Sequence, residues 1–325
     1  MKKLAITTAA ALGLVLGAVC AWGGWVYEGT WGKYGVGQGE FTLPEGVAVA
    51  PNGDVYVGDW WTNRIQYFTA TGSYLGQWGS YGTGNGEFDT PTDIAVAANG
   101  RVYVGDGGNA RVQYFTPGGS FLGKWGSSGT AAGQFHNPRG VAVAGNRNVY
   151  VADTANDRVQ YFTAAGSFLG KWGSRGTANG RFYDPAGVAV APNGHVYVTD
   201  TGNDRVQYFS ASGSFLGKWG SSGAGNGLFA GPVGITVAPD GEEVYVVDWC
   251  NYRLQYFSAT GSYLGKWGSY GSSEGKFDDP RYAAVSGDGR RVYVTDSWNR
   301  RVQYFRWTEP AVAPASLGRV KAMFR

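Results

Sequence analysis

Few residues in this chain are equipped to do chemistry, and they are scattered. There are two histidines, His136 and His195, and two cysteines, Cys20 and Cys250. A catalytic zinc needs three clustered protein ligands, and a nucleophilic thiol needs a base within hydrogen-bond reach. His136 follows Phe135 in a Gly-rich loop and His195 sits in a turn between strands, which places them on opposite faces of the fold expected below. They share no metal, and Cys250, with no His nearby, reads as an inert thiol. The charged residues that do recur are Asp59, Asp106, Asp153, Asp200, Asp248 and Asp296, each answered by Arg64, Arg111, Arg158, Arg205, Arg253 or Arg301, at intervals of 47 or 48 residues. A site needs few copies of its reactive groups, so six copies argue for scaffold, with each Asp–Arg pair bridging a turn to a strand.

The elements that carry these pairs follow from the repeated phrase at 149–172, V-Y-V-A-D-T-A-N-D-R-V-Q-Y-F-T-A-A-G-S-F-L-G-K-W. A period near 47 marks an array of identical supersecondary units, each borrowing core from its neighbours, so one domain is expected despite the length. In the first unit an apolar segment, 46–50, turns at Pro51-Asn52-Gly53 into a second strand at 55–57; a third runs over 64–68 and a fourth over 73–79. That is a four-stranded antiparallel meander. The same phrase restarts at Pro91, Pro138, Pro185, Pro232 and Pro280, but the sixth copy has no Gly-Lys-Trp-Gly strand after Phe305. Residues 25–32, W-V-Y-E-G-T-W-G, read as that missing strand, placed at the front of the chain.

Four-stranded units of this length are propeller blades, and a ring must hide its first and last edges. The expectation is therefore an all-β, six-bladed β-propeller closed by an N-terminal strand. The Val-Ala-Val first strands suit the crowded inner radius. Trp78, Trp125, Trp172, Trp219 and Trp267, with Phe41, Phe88, Phe135, Phe182, Phe229 and Phe277, read as apolar wedges between blades. Asn63, Asn109, Asn156, Asn203, Asn251 and Asn299 are expected to cap the turn between Asp and Arg through their amides.

The phrase resembles the NHL repeat, whose blades carry P-x-G-V-A-V, then V-Y-V-x-D, then N-x-R-V-Q-Y-F. The likeness covers 25–305 and implies a six-bladed propeller. It implies no single function, because NHL propellers include extracellular sensor and interaction domains, RNA-binding domains and zinc-using amidating lyases. The His cluster those lyases need does not carry over here. Six-bladed lactonases centre on calcium held by inward carboxylates or amides, for which this chain offers Glu45 and Asp93.

Lys2 and Lys3 ahead of an apolar run over 4–19, with Val19-Cys20-Ala21 behind it, read as a secretory signal over 1–21, with an uncleaved anchor or lipidation at Cys20 as alternatives. Loss of Lys2 and Lys3 takes the net charge from +3 to +1, which with export argues against a nucleic-acid partner. The expected setting is secreted, periplasmic or cell-surface, as a monomer with no stable membrane insertion after cleavage. Residues 308–325 read as an extended Pro/Ala-rich tail ending in a short basic amphipathic segment.

If the repeat is scaffold, function lies where one copy departs from the others. After the six Asp come Trp60-Trp61, Gly107-Gly108, Thr154-Ala155, Thr201-Gly202, Trp249-Cys250 and Ser297-Trp298. Blades five, six and one are neighbours in a closed ring, so Trp249, Trp298, Trp60 and Trp61, with Tyr252, form an expected aromatic crescent. Around the channel mouth stand Glu45, Arg139 and Arg281 just after the repeated Pro, with Asp93 and Tyr282 where four other blades have Gly. Clustered exposed aromatics beside a few charges mark a ligand groove or interface. The expected function is non-catalytic binding of a peptide, protein or glycan without a cofactor; the alternative is a metal-dependent hydrolase or lyase sited at the channel mouth.

Overall fold

A computed structural model describes residues 24–309. Six four-stranded antiparallel sheets are arranged as a ring, each contacting the next through its innermost strand. In blade one the strands run Pro44–Val49, Val55–Asp59, Arg64–Phe68 and Tyr74–Trp78 from the inside outwards. Blades two to five repeat this order. Blade six takes three strands from the end of the chain, Pro280–Val285, Arg291–Asp296 and Arg301–Thr308, and its outer strand from the beginning, Gly24–Trp31.

The N-terminal strand closes the ring as the sequence predicts, with Trp31 opposite Val302 and Tyr27 opposite Phe305, and the pairing runs on to Gly24 opposite Thr308. The seam has its own filling. In five blades the second-strand tyrosine donates its hydroxyl to a carbonyl in the outer turn of the next blade, as Tyr103 does to Ala164 at 3.0 Å and Tyr293 to Ala70 at 2.9 Å. Blade six lacks that turn, so Tyr245 binds Glu243 instead, and Trp25, paired with Trp307, packs edge-on against the Tyr245 ring at 5.7 Å. The predicted signal and most of the tail fall outside the described residues. Among those described, no helix is long and apolar enough to cross a membrane.

The wedges are where the repeat places them. Phe41, Phe88, Phe135, Phe182, Phe229 and Phe277 are fully buried, and each removes enough apolar surface from water to be worth about 2–3 kcal/mol. The fourth-strand tryptophans are half-buried and reach across: Trp78 of blade one lies 5.6 Å from Phe115 of blade two and covers Gly119, where a Cβ would stand 2.5 Å from the indole.

The repeated Asp and Arg form a buried clamp, which the sequence reading had as a simple bridge. In blade two Asp106 accepts from Arg111 Nε at 2.6 Å, from Asn109 at 3.1 Å and from Gln113 at 3.1 Å. Arg111 and Gln113 then donate to carbonyls of Thr83, Gly84 and Glu87 in the preceding Gly-rich loop. The web therefore fastens each interblade loop to its blade, and Gln66, Gln113, Gln160, Gln207, Gln255 and Gln303 belong to it. Burial pushes the carboxyls of Asp106, Asp200, Asp248 and Asp296 up against the pull of these donors.

Blade one corrects the expected set of six asparagine caps. Counted from the Asp, five asparagines stand three residues on, whereas Asn63 stands four on and Thr62 takes the capping place. Asn63 has left-handed φ and accepts from the backbone of Thr90 in blade two at 2.7 Å, as Asp157 accepts from Asp184 and Asp204 from Gly231. Without the amide cap, Asp59 holds Thr42 and Leu43 N–H groups, and Arg64 approaches it only to 3.9 Å.

Candidate ligand-binding face

The turn after each repeated Asp and the Gly-rich interblade loop open on one face, because the first packs on the second: Trp60 N–H donates to Leu43 C=O and Cys250 N–H to Ala230 C=O. The clamp beneath fixes both loops, so what projects from them is set by side chain rather than by loop conformation. The residue four after each Asp has left-handed φ in every blade.

On blades five and six this face holds a cleft of about 590 Å³ lined by Trp249, Tyr252, Tyr270, Asp278, Asp279, Arg281 and Trp298. Trp249 is pinned: its indole N–H donates to Asp279, whose carboxylate also takes the Arg281 guanidinium at 3.0 Å, and that guanidinium stacks 4.5 Å over the indole. Tyr252 meets Tyr270 edge-on at 4.9 Å. Trp298 projects from the rim at 57% exposure, and Trp61, whose ring lies 6.2 Å from that of Trp60, at 63%.

A second cleft of about 260 Å³ continues from the first towards the channel mouth, sharing Asp279, Arg281 and Trp298 and adding Leu43, Glu45, Trp60, Arg139 and Ser297. Burial raises the Glu45 carboxyl, while Arg281 and Arg139 pull it down. The crescent residues Trp249, Tyr252, Arg281 and Trp298 are thus brought together, and Glu45, Arg139 and Trp60 join them through the second cleft. Trp61 stands beside Trp60, lining neither.

Two residues read as part of that surface lie beneath it. Tyr282 is only 4% exposed and belongs to the core between blades six and one; Asp93 is equally buried and, with Tyr282, lines the channel. The reason is steric. At this position in the other blades a Cβ would stand 2.3–2.5 Å from a backbone oxygen of the next blade, at Gly46, Gly140, Gly187 and Gly234, so the inner strands approach closely. Asp93 uses the proximity to accept from Ile94 N–H at 2.8 Å and from Val141 N–H of blade three at 3.0 Å. Its burial, offset by those two donors, pushes its pKa up to about 8.

The sequence reading missed the outer part of the aromatic arc. Tyr270, Tyr34 and Tyr81 stand in the interblade loops that precede blades six, one and two, more exposed than either Trp61 or Trp298, and Arg300 lies 5.7 Å over Tyr34. The same loop position is Ser128, Arg175 and Ser222 before the other three blades. The signal was legible in the fragments W-G-K-Y-G and W-G-S-Y-G against W-G-S-S-G and W-G-S-R-G. His136 is exposed on this face and His195 lies in a strand turn beside Tyr208, away from it. Among the described residues no three His, Cys, Asp or Glu side chains converge as a metal cluster would.

Fold and face define a six-bladed propeller with one ornamented sector. The chain is an NHL-repeat propeller: the NHL repeat matches residues 41–68, 88–115, 135–162, 182–209 and 229–257. A comparison with curated proteins finds no match in sequence. Solved structures share the fold at low identity. A streptogramin B lyase superposes with a TM-score of 0.63 at 14% identity over 89% of this chain and 99% of its own. A gluconolactonase from Xanthomonas campestris gives 0.63 at 15% over 83% and 88%, and a protein of unknown function from Bacteroides thetaiotaomicron 0.65 at 18% over 86% and 74%.

Proposed function

We propose that this propeller is an exported, non-catalytic binding scaffold that holds a peptide, protein or glycan against the sector formed by blades five, six and one. The observation that carries the reading is the asymmetry of the loop face: large aromatics occupy two successive loop positions in this sector and small or polar residues occupy them in the opposite one. Exposed aromatics are costly to keep in water, and their concentration in one sector of an otherwise sixfold frame, against Tyr183 alone on this face of the opposite sector, argues for a ligand there. The apolar run behind Lys2 and Lys3 supports export, and a small net charge supports a ligand that is not a polyanion.

The test is a combined glycan and peptide array probed with residues 22–309, beside a Trp60→Ala, Trp249→Ala, Trp298→Ala variant shown to be folded. Ligands bound by the first protein and lost by the second support the reading, and binding that survives the triple substitution overturns it.

A second reading places a metal-dependent hydrolase or lyase at the channel mouth. Fold relatives named as a lyase and a gluconolactonase favour it in kind, and the carboxyl of Glu45 at the mouth and that of Asp93 in the channel wall beneath, both raised by burial, supply two groups. Metal analysis of the purified protein checks it, since a stoichiometric bound ion supports this reading over the first.

A further inference from the structure

Within the crescent, the make-up of the lining narrows the class of ligand, provided the reading of that sector as the ligand face holds. The larger cleft has four aromatic and three charged residues around it and not one aliphatic side chain. A pocket built for a peptide anchor gains its affinity by surrounding an apolar side chain with aliphatic and aromatic groups in a desolvated hole. This cleft is open by contrast, and its rings are held in place: Arg281 and Asp279 fix the plane of Trp249, and the Tyr270 ring backs Tyr252. Fixed rings beside planar carboxylates suit a pyranose, which is apolar on the C–H face it lays on an aromatic ring and edged with hydroxyls that bridge to carboxylates and guanidinium groups.

Asp278 has the right chemistry for such an edge. It is half-buried in the cleft lining and its carboxylate makes no hydrogen bond or ion pair among the described residues, whereas neighbouring Asp279 is engaged by Arg281 and Trp249. A half-buried carboxylate without a donor is supplied with one by a bound hydroxyl. From Trp298 on the cleft rim, Trp61, Tyr34 and Tyr81 continue the exposed rings across blades six and one to the start of blade two. A single small ligand has no use for rings spread over three blades; a chain of repeating units has.

We propose that this face binds a neutral oligosaccharide chain, one sugar ring seated in the cleft beside Trp249 with hydroxyls on Asp278, and further rings stacked outward along Trp298 and Trp61. Two consequences follow. Affinity rises with chain length until the arc is filled, and it is insensitive to salt, since no ion pair forms with the ligand.

The experiment is titration of the protein with cellohexaose, chitohexaose and mannohexaose, followed by tryptophan fluorescence and calorimetry, with the matching disaccharides as short probes. Trp298→Ala and Asp278→Asn are the test variants, and Tyr183→Ala, on the opposite sector, is the control; circular dichroism confirms that each is folded. The proposal expects one hexasaccharide to bind more tightly than its disaccharide, with affinity reduced about tenfold or more by Trp298→Ala and by Asp278→Asn and unchanged by Tyr183→Ala. Absence of binding by all three hexasaccharides overturns the oligosaccharide assignment. If array peptides are then bound in a Trp298-dependent way, the binding face itself stands. Hexasaccharide binding that none of the crescent substitutions weakens overturns both.

Discussion

After its second strand blade three turns through Thr154-Ala155 and blade five through Trp249-Cys250, although the residues beneath are bonded alike. Asp153 takes Arg158 Nε at 2.6 Å and Asn156 at 2.9 Å; Asp248 takes Arg253 Nε at 2.7 Å and Asn251 at 2.9 Å. The frame is indifferent to what its loops display. That separation is general to repeat architectures, where nearest-neighbour interfaces supply the stability and loop tips are free to vary. It means that the sector of blades two to four serves as an internal control for the sector of blades five, six and one.

The largest effect sought is loss of the ring. Removing the Gly24–Trp31 strand opens the third strand of blade six along its whole length and uncovers the tryptophan packing at the seam. The truncated protein is expected to aggregate or to lose its cooperative melt, read by size-exclusion chromatography and thermal circular dichroism. A soluble, cooperative truncation breaks the claim that the ornamented sector is also where the ring is locked.

Next comes the same substitution in two blades. Asp153→Ala leaves the Arg158 guanidinium buried without its partner and is expected to cost roughly 3–5 kcal/mol in denaturant unfolding. Asp59→Ala removes two backbone hydrogen bonds and only a loose ion pair, to an Arg64 guanidinium 3.9 Å away, for roughly 1–3 kcal/mol. Equal losses would show that the shift of Asn63 and Thr62 does not alter the clamp beneath Trp60 and Trp61.

The fold was legible because it is written six times. Period, strand order and closure all follow from aligning the copies on Asp, Arg and Pro, and each copy checks the others. The candidate face was legible only as departures from that alignment, and this worked for tryptophans after the Asp and failed in three instructive places. Asn63 aligns with the other asparagines by residue type, but its position, four after Asp59, places it with Asp157 and Asp204. Tyr34, Tyr81 and Tyr270 lie outside the strand phrase on which the copies align, in the Gly-rich loop before Phe. Asp93 and Tyr282 read as surface residues because nothing in a one-dimensional repeat shows that glycine at that position answers a backbone oxygen 2.3–2.5 Å from its missing Cβ.

A pH-dependent effect isolates one of those two. The Asp93 pKa is raised from 3.8 to about 8, so the folded state favours the protonated carboxyl. The stability this contributes is whole below the unfolded pKa and is lost as pH rises towards 8, at up to about 1.4 kcal/mol per pH unit. Asp93→Asn cannot ionise; it keeps an oxygen for one of the Val141 and Ile94 N–H groups and sets its NH2 against the other, a cost that does not change with pH. The difference in unfolding free energy between Asp93→Asn and the parent is expected to grow in favour of Asn between about pH 4 and 8 and then to level off. A difference that is flat with pH would mean that Asp93 ionises freely and that the channel wall is wetter than its packing indicates.

The smallest expected effect on stability sharpens the comparison most. Trp298→Ala and Trp61→Ala in the ornamented sector, and Tyr183→Ala in the plain one, remove exposed rings that close no interblade gap, and each is expected to leave unfolding within about 0.5 kcal/mol of the parent. Trp249→Ala differs in kind, because the pinned indole covers Arg281 and binds Asp279; its loss leaves that carboxylate with one donor fewer and is expected to cost about 1–2 kcal/mol. If Trp298→Ala and Trp61→Ala prove as costly as Trp249→Ala, their rings are structural covers for the loops, and the asymmetry between the two halves of the propeller is one of folding rather than of recognition.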